Sequence, residues 1–343
     1  AGVPVAPPER AAAGSRVGVV AIGRNEGARL QGCLASLAAV GAPVVYVDSG
    51  SRDDSVAIAR QAGVHVHALD PAKPFSAARA RNEGFAQVRL ISPDVEFVQF
   101  IDGDCTLASG WLRAAVEAMD SRPDVAVVIG HLAERHPEAS IYNRLCALEW
   151  SSSPGDLQNF GALGGIMLVR ASVFASLHGF KSEVIAGEDS EFGVRCGLAG
   201  HAVTKIDAPM AVHDADMHTF TQWWTRTVRS GHAIGQRAQL HGASKLRDCR
   251  RDRASVLAWG VALPAVAVLL APFTSGASLL AAAALYALLA TRVFRARRRR
   301  GDSAADAWLY ARHIAMGKLA QGVGLVRYQL RALRGHFRII EYK

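Results

Sequence analysis

Short apolar runs alternating with helical patterns restrict the fold of this chain more than any other feature. Val17-Gly18-Val19-Val20-Ala21-Ile22 is a run of buried-strand type, followed by a polar turn and a helical pattern through Leu30, Leu34 and Leu37. A second run at 43–47 ends at Asp48, and Ser49-Gly50-Ser51 then marks a turn. Helix is expected at 55–62, strand at 64–66, helix at 77–88 and strand at 97–101. Beyond Leu107 a helix runs to about Met119, then strands are expected at 126–129 and 163–169 and a helix at 189–198. Alternation of this kind predicts an α/β, Rossmann-like fold with a mostly parallel sheet flanked by helices. The ligand crevice of such a sheet lies at the carboxyl ends of its strands. Asp48 follows one strand and Asp102 and Asp104 follow another, so carboxylates stand where a ligand would bind.

The composition changes sharply toward the C-terminus. Residues 1–225 carry 18 Lys and Arg against 25 Asp and Glu, whereas 226–343 carry 21 against 5. The net charge of +9 therefore describes a basic rear half attached to an acidic front half. Within the basic part lie two uncharged apolar stretches, 254–273 and 275–291, each long enough to span a bilayer. Arginines flank the pair only on its outer sides, at 247, 250, 251 and 253 and again at 292, 295 and 297–300. That asymmetry predicts a transmembrane hairpin with both ends on the cytoplasmic face; two buried helices of a soluble protein would show the same apolarity. The segment 231–253 is a basic juxtamembrane stretch, 254–294 the hairpin, and 295–343 a basic cytoplasmic or interfacial tail in which 308–331 lies along the membrane surface. Membrane lipids are thus expected partners. Nucleic acid is not, since it would account for the basic tail but not for the hairpin. Five cysteines, widely spaced and without a CxxC pair, indicate a reducing compartment and no structural zinc. Residues 1–16, rich in Ala, Pro and Gly, are expected to be a disordered lead-in rather than a signal peptide.

Ile101-Asp102-Gly103-Asp104 carries the sharpest chemical signal. Two carboxylates directly after a strand, separated by a glycine that permits a tight turn, can hold a hard divalent cation against a diphosphate. A solvated Asp-Gly turn is the alternative.

Five ordered motifs place this pair in context: Val20-Ala21-Ile22-Gly23-Arg24-Asn25-Glu26, Val47-Asp48-Ser49-Gly50-Ser51-Arg52-Asp53-Asp54-Ser55, Ala80-Arg81-Asn82-Glu83-Gly84, Asp102-Gly103-Asp104 and Gly187-Glu188-Asp189. In this order they resemble family 2 glycosyltransferases of the GT-A fold over about residues 17–230. With the hairpin behind them, the chain is similar to membrane-anchored bacterial enzymes that build exopolysaccharide or lipid-linked glycans. It departs from the usual pattern at Ser49, where the motif commonly has a second aspartate, and at Ala21, where proline is common.

The resemblance implies a nucleotide-sugar donor, with uridine diphosphate the expected nucleotide. Asp48 would bind the base, with Ile22, Arg24 and Glu26 lining the base and ribose pocket; a turn cap is the other role open to Asp48. Arg81 and Asn82 would sit near the nucleotide, although Arg81 also suits an exposed helix face. Asp104 would be the direct ligand of Mn2+ or Mg2+, with Asp102 on ribose or metal. His213 is a further metal candidate or an ordinary loop histidine. Asp189 would be the general base of an inverting displacement, preceded by Glu188; both also suit a helix cap. Acceptor contacts are expected at Gly164 and Gly165, where the backbone can be approached closely, and at Trp223, Trp224 and Arg226. Gln222-Trp223-Trp224-Thr225-Arg226 differs in spacing and order from the Gln-x-x-Arg-Trp element of processive synthases, which points to single addition. The acceptor would be a glycan or a lipid-linked molecule. Two other classes fit parts of the pattern: a nucleotidyltransferase, which would want a Gly- and Lys-rich loop after the first strand, and a membrane-tethered nucleotide- or glycan-binding protein without turnover.

Overall fold

The computed structural model of the chain describes residues 16–161 and 163–334. Of the lead-in expected at 1–16, all but Arg16 lies outside the described residues. In chain order the elements are β1 (Val17–Gly23), α1 (Ala28–Ala38), β2 (Val44–Asp48), α2 (Ser55–Gln61), β3 (His65–Ala68), α3 (Ala77–Ile91), β4 (Phe97–Asp102), β5 (Cys105–Leu107), α4 (Trp111–Ser121), β6 (Val125–Glu134), α5 (Ile141–Glu149), β7 (Gly155–Asp156), β8 (Met167–Arg170), α6 (Ala171–Ser176), α7 (Glu188–Leu198), β9 (Ala202–His213), α8 (Phe220–His241), α9 (Arg250–Leu257), α10 (Leu263–Leu270), α11 (Ala277–Arg299) and α12 (Ala304–Arg334). A π-helical turn, Ala258–Ala262, joins α9 to α10, and a 3-10 turn, Ala271–Phe273, follows α10. These elements form two compact units. One holds the residues up to Arg135 with Trp150–Ser182 and Glu188–Ala215; the other holds His136–Glu149, Glu183–Gly187 and the chain from Asp216 onward.

The first unit is built on one sheet of order β3-β2-β1-β4-β8-β6-β9-β5, with β7 paired to β9. β1, β2, β3 and β4 are mutually parallel. The first six residues of β1 and the last four of β2 are buried, as a sheet covered on both faces requires. The other half departs from the mostly parallel expectation, because β8 enters antiparallel between β4 and β6 and β5 runs antiparallel to β9. A parallel neighbour needs a crossover packed on the sheet, usually a helix. The helix between β6 and β8, α5, belongs instead to the second unit.

Helix α1 buries Leu30, Cys33, Leu34 and Leu37, the i, i+3, i+4, i+7 stripe that its sequence spells. Helix α3 begins at Ser76, whose hydroxyl accepts from the Arg79 amide. Its Gly84 lets the helix lie close on β1 and β2: a Cβ there would meet Val20 Cγ1 and come within 2.9 Å of Val47 Cγ2. Behind this layer Phe100, Phe174, Phe180 and Phe192 form a ring cluster with centroids 5.1–5.3 Å apart.

In the second unit α8 opens on a capping box between Thr219 and Gln222. Glycines let α12 press on its neighbours: Gly231 of α8 lies against the Gln321 backbone, and Gly324 of α12 against that of Val228. Helix α12 also buries Ala311 and Ala315 against Ala290 of α11. The segment expected to lie on a membrane surface therefore has one face committed to other helices. The two apolar stretches become Arg250–Phe273 and Ala277–Arg299, both long and apolar enough to cross a membrane. Their apolar side chains stay largely uncovered, with Phe273 85%, Leu280 74% and Leu269 69% exposed, which is not how core helices of a soluble protein sit.

The packing at Gly84 yields a test. Gly84→Ala should lower stability by about 1–3 kcal/mol through overpacking. Gly32→Ala, in the middle of α1 with its new Cβ at an ordinary 3.7 Å from Thr106 Oγ1, should be neutral or stabilise by about 0.5–1 kcal/mol. Thermal unfolding midpoints of the two variants against the parent chain check this.

Candidate functional site

Strand register assembles the first half of the site. In the parallel sheet Gly23 of β1 pairs with Asp48 of β2, and Ile22 pairs with Asp102 of β4. With strands about 4.8 Å apart, Asp48 and Asp102 stand about 10 Å from each other across β1. The Ile22 carbonyl accepts from the Gly103 amide at 2.8 Å, which turns the chain after β4. Glu26 packs its stem against Gly23 and Gly103 and pairs with Arg29 at 3.0 Å. The Arg24 guanidinium lies over the Phe75 ring at 5.7 Å, and that ring packs on Gly50. Phe75 was not singled out from the sequence, since an isolated phenylalanine between helices carries no pattern.

Asp48 is 3% exposed, and its Oδ2 accepts from the amides of Gly50 and Ser51, both at 2.9 Å, while Oδ1 accepts from the Tyr46 hydroxyl at 3.3 Å. It thus does what the turn-cap alternative describes, shaping the 49–51 loop. Burial and the Asp48 carboxylate push the Tyr46 hydroxyl up in pKa, so it stays a donor.

The two carboxylates of Asp102-Gly103-Asp104 face different partners. Asp102 Oδ1 accepts from Arg81 Nη2 at 2.7 Å, and Arg81 Nη1 donates to Glu188 Oε1. Arg81 is 2% exposed, so it is not on an open helix face, and two acidic side chains occupy its terminal nitrogens. Burial opposes its charge, but Asp102, Glu188 and Asp189 together outweigh burial and hold its pKa above the ordinary value. Asn82 is likewise paired: its Oδ1 accepts from the Phe180 amide at 2.9 Å and its Nδ2 donates to the Phe180 carbonyl at 2.7 Å. Both ends of the amide clamp the backbone at Phe180, within the phenylalanine cluster. Glu83, in the same motif, bridges His67 and Arg79, both at 2.7 Å.

Asp189, 8% exposed at the first turn of α7, accepts from the Gly165 amide through Oδ2 at 3.1 Å. Gly164 and Gly165 both have φ of +76°; a Cβ on Gly165 would come within 2.5 Å of Arg81 Nη2 and 3.3 Å of Asp102. Glycine is needed there for the protein's own charged groups. Around Gly164 a Cβ would meet nothing within 4 Å.

Asp104 turns the other way, toward His213. The antiparallel pairing of β5 with β9 sets Cys105 opposite His213, and the parallel pairing of β6 with β9 sets Glu134 opposite the same histidine. Register shifts in β6 between Ile129 and Leu132 re-aim its final residues. His213 Nε2 stands 3.6 Å from Asp104 Oδ2, and Nδ1 stands 3.7 Å from Glu134 Oε2, with the Trp150 ring against it at 4.9 Å. These gaps are too long for hydrogen bonds. The Asp104–His213 gap suits two ligands of one cation, since oxygen and nitrogen atoms each about 2.1 Å from a metal stand about 3–4 Å apart. Glu134 lies instead on the other edge of the imidazole, where it accepts from the Ala215 amide at 3.2 Å and can orient the ring. Asp104, Cys105 and His213 place one ligand atom each within 4.8 Å of one another. The Cys105 thiol donates to Asp104 Oδ1 at 3.3 Å, and burial followed by the charges of Asp104 and Asp102 pushes it well up in pKa. It serves as a donor that steadies the carboxylate. Neither Glu134 nor Trp150 was legible in sequence, because only the strand pairing brings them to residue 213.

Three expected acceptor residues belong to the second unit. Trp223 is 4% exposed and packed among Tyr142, Phe220, Trp224 and His313, so its ring is core and not a platform for a sugar. Trp224 packs on Phe220, and Arg226 pairs with Glu149 at 2.7 Å.

Comparison with known proteins follows the same lines. Residues 19–176 match the family described as Glycosyl transferase family 2. Among solved structures the chain is similar to a mannosyltransferase, PcManGT from Pyrobaculum calidifontis in complex with GDP-Man and Mn2+, with a TM-score of 0.62 at 19% identity over 92% of this chain and 87% of that one. It is also similar to S. aureus TarS 1-349, with a TM-score of 0.52 at 15% identity over 94% and 92% of the two chains. At such identities the likeness establishes the fold, which is the GT-A arrangement. No curated protein matches the chain in sequence.

The buried fork of Arg81 makes a prediction independent of turnover. Arg81→Met leaves two carboxylates without their cation and should destabilise the protein by about 3–5 kcal/mol. Adding Glu188→Gln should restore part of that loss. Urea unfolding midpoints of the single and double variants measure both effects.

Proposed function

Because residues 19–176 match the family described as Glycosyl transferase family 2, we propose that the chain moves a sugar from a nucleotide-diphosphate donor to an acceptor hydroxyl with inversion at the anomeric carbon. The observation that carries this is the spacing of Asp104 and His213, whose 3.6 Å gap fits two ligands of one divalent cation beside the C-terminal ends of β1, β2 and β4. Mn2+ or Mg2+ held there would offset negative charge on the departing diphosphate. The mannosyltransferase with the same fold, in complex with GDP-Man and Mn2+, supports a nucleotide-sugar and a cation together.

Asp189 is the base. Its carboxylate is oriented by the Gly165 amide, while Arg81 neutralises its neighbour Glu188, so Glu188 acts as a positioning residue. The acceptor hydroxyl gives its proton to Asp189 as its oxygen attacks the anomeric carbon, and the bond to the diphosphate breaks on the opposite face. Open space at Gly164 leaves room for the acceptor on that side. Phe75 with Arg24 offers an aromatic and cationic wall for the nucleotide base, above the loop that Asp48 holds. The exposed apolar helices and their arginine flanks support a place at the cytoplasmic membrane with a lipid-linked or polysaccharide acceptor.

The test is a panel of nucleoside diphosphates and their sugars, read by thermal shift and by donor turnover. One diphosphate should raise the melting point only with Mn2+ or Mg2+, and Asp104→Asn or His213→Ala should abolish that rise. Asp189→Asn should keep the shift while turnover falls by about 10²-fold or more. Tight binding with no turnover for any donor and acceptor would identify a binding protein instead.

A further inference from the structure

The apolar hairpin of the second unit has one set of interfacial anchors, and it lies at the base. Trp259 of the π-helical turn and Tyr286 of α11 pack together with centroids 5.8 Å apart, and the Tyr286 hydroxyl donates to the Trp259 carbonyl. Between these two residues the chain contains no charged side chain, no tryptophan and no tyrosine. A hairpin that crosses the bilayer would place its turn in the far headgroup region, where such anchors concentrate.

Length points the same way. From Trp259 to Phe273 the first limb rises about 21 Å at 1.5 Å per residue, against a hydrocarbon core of about 30 Å. The whole limb cannot be counted as membrane-embedded, because α12 crosses it. The Lys318 carbonyl and Gly322 pack on Gly260, and Ala311 and Ala315 pack on Ala290 of the second limb. Helix α12 carries Arg312, Lys318, Arg327 and Arg331 along its length, so a level that contains this helix is headgroup level.

Several polar groups of the turn are also satisfied internally. Thr274 Oγ1 donates to the Leu270 carbonyl at 2.9 Å, and Ser278 Oγ donates to the Ala267 carbonyl at 2.7 Å. The backbone amides of Thr274, Gly276 and Ala277 find acceptors within the turn at 2.9–3.0 Å. The Ser275 amide and hydroxyl make no such bond among the described residues; internal satisfaction of the others lowers the cost of placing the turn in hydrocarbon.

From these observations we infer that the hairpin is re-entrant: it inserts into the near leaflet, turns inside the hydrocarbon and returns to the same face, with α12 lying as a cationic collar on the anionic headgroups around its base. This rests on the membrane placement proposed above and adds a depth and a topology to it. The surface presented to lipid is then an apolar plug about one leaflet deep, surrounded by arginines at 292, 295 and 298–300.

Site-directed labelling of the full chain in sealed membranes tests it. Ser275→Cys should resist a membrane-impermeant maleimide both in intact cells and in inverted vesicles, and should react after detergent is added; Arg299→Cys should react in inverted vesicles alone. The five native thiols are buried and give little background. A spin label at 275, or at 273 should the first variant fold poorly, should collide several-fold more with oxygen than with a nickel chelate. Labelling of Ser275→Cys from outside intact cells would show a spanning hairpin and overturn the re-entrant topology while leaving the membrane placement standing. Release of the parent chain by alkaline carbonate would overturn both.

Discussion

The arginine fork at Arg81 fixes the geometry on which the rest of the first unit's acidic cluster depends. A buried guanidinium is costly unless its donors are taken by acidic partners of matching shape. Here the partners arrive from two distant stretches: Asp102 from the end of β4 and Glu188 from the start of α7. One side chain on α3 thereby ties the strand that delivers Asp104 to the helix that delivers Asp189. Gly165 is pressed against this fork and turns its amide to Asp189, so the Asp189 carboxylate is aimed by the same charge cluster that holds the 102–104 turn. The role of Arg81 is therefore to position, and its burial is a condition of that role.

Around the fork, α3 acts as a hub whose residues each serve a separate contact. Ala80 is buried, Asn82 clamps Phe180, Glu83 joins His67 to Arg79, and Gly84 lets the helix settle on β1 and β2. The phenylalanine cluster beneath, held through Phe180, gives this polar layer a rigid apolar floor. Both terminal nitrogens of Arg81 are taken by carboxylates, while its Nε has no hydrogen-bond partner among the described residues.

Much of this architecture was legible in the sequence where burial on both faces wrote uninterrupted apolar runs: β1, β2 and β4 with the acidic residues at their ends. The sheet's other half was less so. β9 carries Lys205 and Asp207 among its apolar residues, and β5 is three residues long, so neither produces a clean period. The resemblance among motifs conveyed residue types but not the protein's own contacts: nothing in it shows that Arg81 pairs with Asp102 and Glu188 or that Asn82 holds Phe180. His213 was named only as a candidate, and Glu134 was missed. Their meeting depends on two strand registers that no local pattern encodes. Trp223 looked like a sugar platform because tryptophans stack on sugars. Neighbours drawn from three separate stretches of the second unit show it as core.

The pairing of β9 with both β5 and β6 also fixes when the site can exist during synthesis. Asp104 leaves the ribosome long before His213, and between them the chain must lay down β6, β8 and α7 before β9 can close the sheet. The region that carries the family pattern ends at residue 176, short of Glu188, Asp189 and His213. A nascent or excised fragment bounded by that pattern would hold Asp48, Asp102 and Asp104 but neither Asp189 nor His213, so the full cluster can assemble only after the last strand has been made.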